Sequence, residues 1–118
     1  MIDRLRRLFS RSSDGGLCPT VDAAAAVQLV RDGATLLDVR ERDEWRAGHA
    51  PQAVHVPLAD VPSAAPRRLQ DGATVVVVCA SGMRSRTAAR QLRSLGYAAT
   101  SLSGGLGAWQ AAGGAVRR

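Results

Sequence analysis

Thr74-Val75-Val76-Val77-Val78-Cys79-Ala80-Ser81-Gly82-Met83-Arg84-Ser85 decides how this chain folds. Four consecutive valines between Thr74 and Cys79 form a β-branched run with no polar alternation. Such a run suits a central strand buried on both faces, as in a parallel sheet covered by helices. A helix is expected from Ser85 to Leu95, with Ala88, Ala89, Leu92 and Leu95 on one stripe and Arg86, Arg90 and Arg93 elsewhere. Gly96 ends it. Cys79 therefore stands at the junction between the carboxyl end of a buried strand and the start of a helix.

The pattern repeats outward. Thr20 reads as the N-cap of an Ala-rich helix over Val21–Asp32, with Gly33 as its stop. Thr35–Val39 reads as a short strand, Arg40–Ala47 as a helix ended by Gly48, and Ala53–Val56 as a second strand closed by Pro57. Ser63–Leu69 suits a short helix before an Asp71-Gly72 turn. Tyr97–Leu102 reads as a last strand and Gly105–Ala112 as a closing helix carrying Trp109. Strands alternating with helices define an α/β class with a mainly parallel sheet. No internal repeat is visible.

The chain has 118 residues, 46% of them apolar, which fits one domain with a real core. Residues 1–16 read as a basic amphipathic extension with a flexible end, and the domain proper runs over 17–116. Ile2, Leu5, Leu8 and Phe9 share one helical face, and Ser10–Gly16 is Ser- and Gly-rich. The preferred reading of this extension is a frayed helix or one leaning on the domain, rather than one docking a partner or lying on a membrane, for which it is short. No apolar run approaches the roughly 20 residues of a membrane span, and residues 1–11 lack a signal-peptide pattern. The expected location is cytoplasmic. A monomer is expected, since no apolar stripe beyond residues 1–9 asks for burial.

The formal net charge is +6, and every basic residue is Arg. Four arginines against Asp3 and Asp14 in residues 1–16, and Arg117 with Arg118, account for +4 of it. The middle, with ten arginines and eight acids, holds only +2. Phe9, Trp45, Tyr97 and Trp109 offer too few stacking platforms for a nucleic-acid binder. A small anionic substrate suits this charge better. Cys18 and Cys79 form no C-x-x-C pair, and with His49 and His55 they match no metal spacing, so neither disulfide, metal nor cofactor is expected.

Residues 79–85 carry the chemistry. Ligands of open parallel sheets bind at the carboxyl ends of strands, and a helix start presents unpaired N–H groups and the positive end of its dipole. Gly82 lets the loop curl so that several amides converge. A Cys79 thiolate there is favoured by the dipole, the amides and Arg84, which lowers its pKa and makes it a nucleophile. The competing reading is a cysteine that merely finishes an apolar strand; the Gly-Met-Arg-Ser sequence behind it weighs against that.

This loop resembles the C-x-x-G-x-R-S active-site loop of the rhodanese family. Leu36-Leu37-Asp38-Val39-Arg40, Glu44 and Gly48-His49-Ala50-Pro51 through Pro57 resemble a second block of that family. Leu102-Ser103-Gly104-Gly105 through Ala108-Trp109 resemble its closing L-x-G-G-x-x-x-W block. The likeness covers about residues 17–113. It implies a five-stranded parallel sheet flanked by helices and a ping-pong sulfurtransferase. Cys79 would take the outer sulfur of a donor such as thiosulfate as a persulfide and pass it to cyanide or a thiol. The backbone amides of Ala80, Ser81, Gly82, Met83, Arg84 and Ser85 would bind substrate, with Arg84 facing the anionic donor. Phosphatases and arsenate reductases of related architecture use C-x5-R; the four residues between Cys79 and Arg84 make the smaller loop associated with sulfur. A persulfide carrier in a protein sulfur relay is the alternative.

Asp38 and Arg40 fall on the same sheet edge as supporting candidates. Asp38 is expected to brace loop backbone, and Arg40 to pair with a local acid such as Glu44. His49 and His55 are read as structural, Cys18 as a bystander, and Trp45 and Trp109 as core. Ser81 and Met83 are expected at the pocket mouth. Ala50, Gln52 and His55 depart from the family's usual residues without touching the nucleophile.

Overall fold

The structure, a computed structural model, describes residues 18–118. The extension read over residues 1–16 lies outside them. Five strands, β1 (Thr20–Val21), β2 (Thr35–Asp38), β3 (Val54–His55), β4 (Thr74–Val78) and β5 (Ala98–Leu102), form one sheet in the order β1-β5-β4-β2-β3. Every pairing is parallel, so all carboxyl ends share one edge. The α/β class with a mainly parallel sheet agrees with the residue pattern, and the five-stranded count with what the family resemblance implies.

Four α-helices connect the strands, α1 (Ala23–Arg31), α2 (Arg42–Ala47), α3 (Val61–Arg68) and α4 (Met83–Ser94), and a fifth, α5 (Gly105–Ala111), follows β5. Val75 to Val78 are wholly buried and alternate between two cores. Val76 and Val78 meet Leu29 of α1, Leu36 and Trp109 of α5 on one face. Val75, Val77 and Cys79 meet Val61 and Ala65 of α3 and Ala88, Ala89 and Leu92 of α4 on the other. Period-2 geometry sends successive side chains to opposite faces, and burial on both is why the run needs no polar residue.

Several boundaries differ from expectation: α2 begins at Arg42 rather than Arg40 and α3 at Val61 rather than Ser63, and two further shifts have physical reasons. Thr20 is not the N-cap of α1. Thr20 and Val21 are extended and pair with Ser101 and Leu102 of β5, and the Thr100 hydroxyl donates to the Cys18 carbonyl at 2.9 Å. Asp22 caps α1 instead, its carboxylate accepting from the Ala25 amide at 2.8 Å. Helix α4 begins at Met83 rather than Ser85, which places Arg84 and Ser85 in its first turn. No described helix is long and apolar enough to cross a membrane.

Candidate active site

Cys79 directly follows β4, on the common carboxyl edge of the sheet. Gly82 takes φ +111, a left-handed value that L side chains rarely adopt. That one residue turns the chain from strand into helix around the cysteine sulfur. The Gly82 amide donates to Sγ at 3.0 Å, and Ser85 Oγ lies 3.5 Å away. Burial pushes the Cys79 thiol up. The Ser85 hydroxyl and the amides of Ser85, Gly82 and Ser81 outweigh it, and the thiol ends below its ordinary value. Ala80, Ser81 and Met83 form an exposed rim, Met83 being 69% accessible, while Cys79 itself is fully buried.

The start of α5 braces this loop from behind. The Leu106 amide donates to the Cys79 carbonyl at 2.9 Å. A Cβ on Gly105 would lie 2.0 Å from the Ala80 carbonyl oxygen, and Gly104 and Gly105 both have positive φ, +86 and +72. Gly105 is thus required by a close approach of two backbones, and Gly104 by its left-handed backbone and the Ala108 side chain, which a Cβ would meet at 2.9 Å. Gly114 plays the equivalent part under Trp109, whose ring would meet a Cβ there at 2.2 Å.

The charged residues sort differently from expectation. Arg40 does not pair with the Glu44 carboxylate. It is buried against Asp38, with Nη2 on Oδ2 at 2.7 Å, and donates to the backbone carbonyls of Gly48 (2.7 Å) and Glu44 (3.2 Å). Asp38 also accepts from the Arg40 amide at 3.0 Å, which braces the loop after β2. Glu44 belongs to Arg84 instead, gripped at 2.7 and 2.9 Å through both terminal nitrogens. That guanidinium holds the Glu44 carboxyl at about 2, and Glu44 in turn raises Arg84. A Cys79 thiolate adds to the rise of Arg84, while the causes that lower Cys79 itself are the Ser85 hydroxyl and the loop amides. The capping position of Glu44, which accepts from the Glu41 amide at 2.9 Å, holds it in place for this bridge.

Trp45 is not core. It is half-buried and stacked between His49 (centroids 3.6 Å apart) and His55 (4.7 Å). Each imidazole is also tied to a backbone carbonyl, His49 to Trp45 and His55 to Arg40, as structural histidines are. Trp109 is fully buried, as expected.

One site neighbour escaped the sequence reading. Ser101, buried on β5, places its hydroxyl 2.6 Å from that of Ser85. Its signal was a polar residue at the end of a buried strand, which costs free energy unless a partner is built for it. A cleft of about 570 Å³ lies alongside, lined by Glu44, Gly48, Leu106, Gln110 and Arg117 among others. Cys79 does not line it. Among the described residues no cluster of three or more His, Cys, Asp or Glu is placed to hold a metal ion.

These features define an α/β protein built around one cysteine in an amide cradle at the edge of a parallel sheet. A family model for the Rhodanese-like domain matches residues 22–112, and the chain belongs to that family. It is 37% identical over 75 residues to the "Putative sulfurtransferase YtwF" of Bacillus subtilis, covering 64% of this chain and 72% of that protein. It is 34% identical to the "Putative sulfur carrier protein YrkF" of the same organism, over 73% of this chain but only 47% of that one, so it spans about half that relative's length. Among solved structures, the Rhodanese-like domain of Anabaena sp. Alr3790 superposes with a TM-score of 0.75 at 31% identity, covering 86% of this chain and 80% of that one. The human single-domain sulfurtransferase TSTD1 superposes with a TM-score of 0.71 at 29% identity, over 80% and 96% respectively.

Proposed function

We propose that the chain is a sulfurtransferase that carries sulfane sulfur as a persulfide on Cys79. The observation that carries this reading is that the loop closes on the sulfur atom itself, with the Gly82 amide at 3.0 Å from Sγ. Amides that solvate Sγ stabilise a thiolate before reaction and a persulfide anion after it. The attacking thiolate forms a bond to the outer sulfur of thiosulfate. The bond to the sulfonate sulfur breaks, and sulfite leaves with the electron pair. Cyanide or a thiolate then attacks the terminal sulfur, forming thiocyanate or an acceptor persulfide, and the Cys79 thiolate returns. No general base is needed once the thiol is ionised, in keeping with histidines occupied by backbone carbonyls.

Arg84 supports sulfur over phosphorus. A phosphatase uses its loop arginine to grip a tetrahedral oxyanion, whereas both terminal nitrogens of Arg84 are held by Glu44. In this reading Arg84 clamps α4 to α2 and contributes its field at a distance. A protein sulfur relay is the second reading, favoured by the likeness to a sulfur carrier protein.

Thiosulfate:cyanide turnover tests the proposal, beside p-nitrophenyl phosphate hydrolysis and transfer from a cysteine desulfurase. Thiocyanate formation lost in Cys79→Ser supports the enzyme. Transfer from the desulfurase alone favours the relay, and robust phosphate hydrolysis contradicts both.

A further inference from the structure

We propose that Ser101 is a positioning residue for the Cys79 thiolate, acting through the hydroxyl of Ser85. The proposal deepens the sulfurtransferase reading and rests on it for its use in sulfur transfer, though its geometry stands apart from it.

Ser101 pairs with Val77 of β4 in the sheet register. Val77 and Cys79 point to the same face, so Ser101 looks toward the first turn of α4, beneath the cysteine. Its hydroxyl is fully buried and lies 2.6 Å from Ser85 Oγ. Ser85 Oγ has one proton and three neighbours: the Gly82 carbonyl at 3.1 Å, Cys79 Sγ at 3.5 Å and Ser101 Oγ. The first is an acceptor only, and the second, which donates to Ser85 as a thiol, becomes a strong acceptor from it when it ionises. If Ser101 donates to Ser85, the Ser85 proton is left for the carbonyl or the sulfur. If Ser85 donated to Ser101, the sulfur would lose that donor and the Ser101 proton would need another acceptor in a buried setting. Donation from Ser101 therefore keeps both hydroxyls satisfied in both ionisation states. On ionisation the Ser85 proton swings from Gly82 to sulfur while the Ser101 bond stays in place. A chain of hydroxyls aligned this way polarises each successive bond toward the anion.

The ionisable groups on the elements meeting at this edge are Arg84 and Arg86 on α4, Asp38 at the end of β2 with Arg40 just after it, Glu44 on α2, His55 on β3 and Asp22 after β1. The first turn of α5 brings none. Replacing Ser101 alters none of these charges, so a change in the titration of Cys79 reports the hydroxyl.

The test is the pH dependence of iodoacetamide alkylation, followed on the Cys79 peptide by mass spectrometry so that Cys18 does not contribute. The variants are Ser101→Ala and the matched pair Ser101→Thr and Ser101→Val, which share a shape and differ in the hydroxyl. The midpoint should move upward in the Ala and Val variants, with alkylation below it slowed roughly three- to tenfold, as loss of one hydrogen bond in the chain implies. Ser101→Thr should stay near wild type. An unchanged midpoint in folded Ser101→Ala, or equal shifts in Thr and Val, overturns the proposal. If Ser101→Ala does not fold, the Thr and Val pair decides. Failure of the wild type to form a persulfide would sink the sulfurtransferase reading and leave the titration result standing.

Discussion

At Cys79 two opposing effects meet on one atom. Burial disfavours the thiolate, and donors from Ser85, Gly82 and Ser81 favour it more. A thiol can therefore be acidic and shielded at once. Small electrophiles should modify Cys79 at a lower pH than a free cysteine requires, while a bulky maleimide lags, because no part of the residue is accessible. Comparing iodoacetamide with a maleimide-linked polymer checks this; equal rates for both would contradict the burial. The cysteine and its loop were legible in the sequence because Cys, Gly, Arg and Ser follow a valine run at a strand end. The partner of Arg84 was not. Arg40 and Glu44 are four residues apart, a spacing that brings side chains together on a helix, but α2 begins only at Arg42 and leaves Arg40 outside it. Asp38 captured Arg40 first, with a fully buried carboxylate that had no other cation. Glu44 was left for Arg84, a partner forty residues away that no local spacing reveals.

At the scale of elements, glycine placement separates a contact from a helix position. Gly105 cannot accept a Cβ without moving the Ala80 carbonyl, 2.0 Å away, whereas Gly107, two residues along α5, has open space around it. Gly105→Ala should cost about 2–4 kcal/mol and slow Cys79 alkylation by displacing the loop. Gly107→Ala should stabilise by about 0.5–1 kcal/mol through helix propensity. Thermal or urea melts of the two variants check the contrast, and equal effects would contradict the packing described. Helices α1, α4 and α5 and strands β2, β4 and β5 were readable from apolar pattern and stop residues. The residue pattern did not reveal β1, whose two residues carry no periodicity. It exists because β5 offers an open edge and the Cys18, Pro19 and Val21 carbonyls meet donors there. Once Thr20 was drawn into the sheet, the cap of α1 moved to Asp22.

For the whole molecule, the Glu44–Arg84 bridge links α2 to α4 and makes stability depend on acid. The Glu44 carboxyl falls from an ordinary 4.5 to about 2 on folding, so the folded state binds fewer protons between those values. Its contribution is complete above about pH 4.5 and is lost as the pH falls toward 2. Both side chains are about a third exposed, 32% and 31%, so solvent screening limits the pair to about 1 kcal/mol. Glu44→Gln should be less stable than wild type by that amount at pH 7 and nearly equal to it near pH 2 in paired urea titrations. A constant difference across that range would contradict the linkage. The parallel sheet as a whole was legible because its central strand is buried on both faces, which dictates covering helices and a common carboxyl edge. The site then follows from topology: β4 delivers the cysteine, the loop after it and the first turn of α4 its donors, and α5 the brace.

The measurement that tests the central claim most directly is the intact mass of the reduced chain after incubation with thiosulfate, beside Cys79→Ser and Cys18→Ser. The account predicts a gain of one sulfur atom in the wild type and in Cys18→Ser, none in Cys79→Ser, and its removal by cyanide. A sulfur gain that persists in Cys79→Ser, or no gain from thiosulfate or a persulfidic protein donor, would contradict a persulfide carried on Cys79.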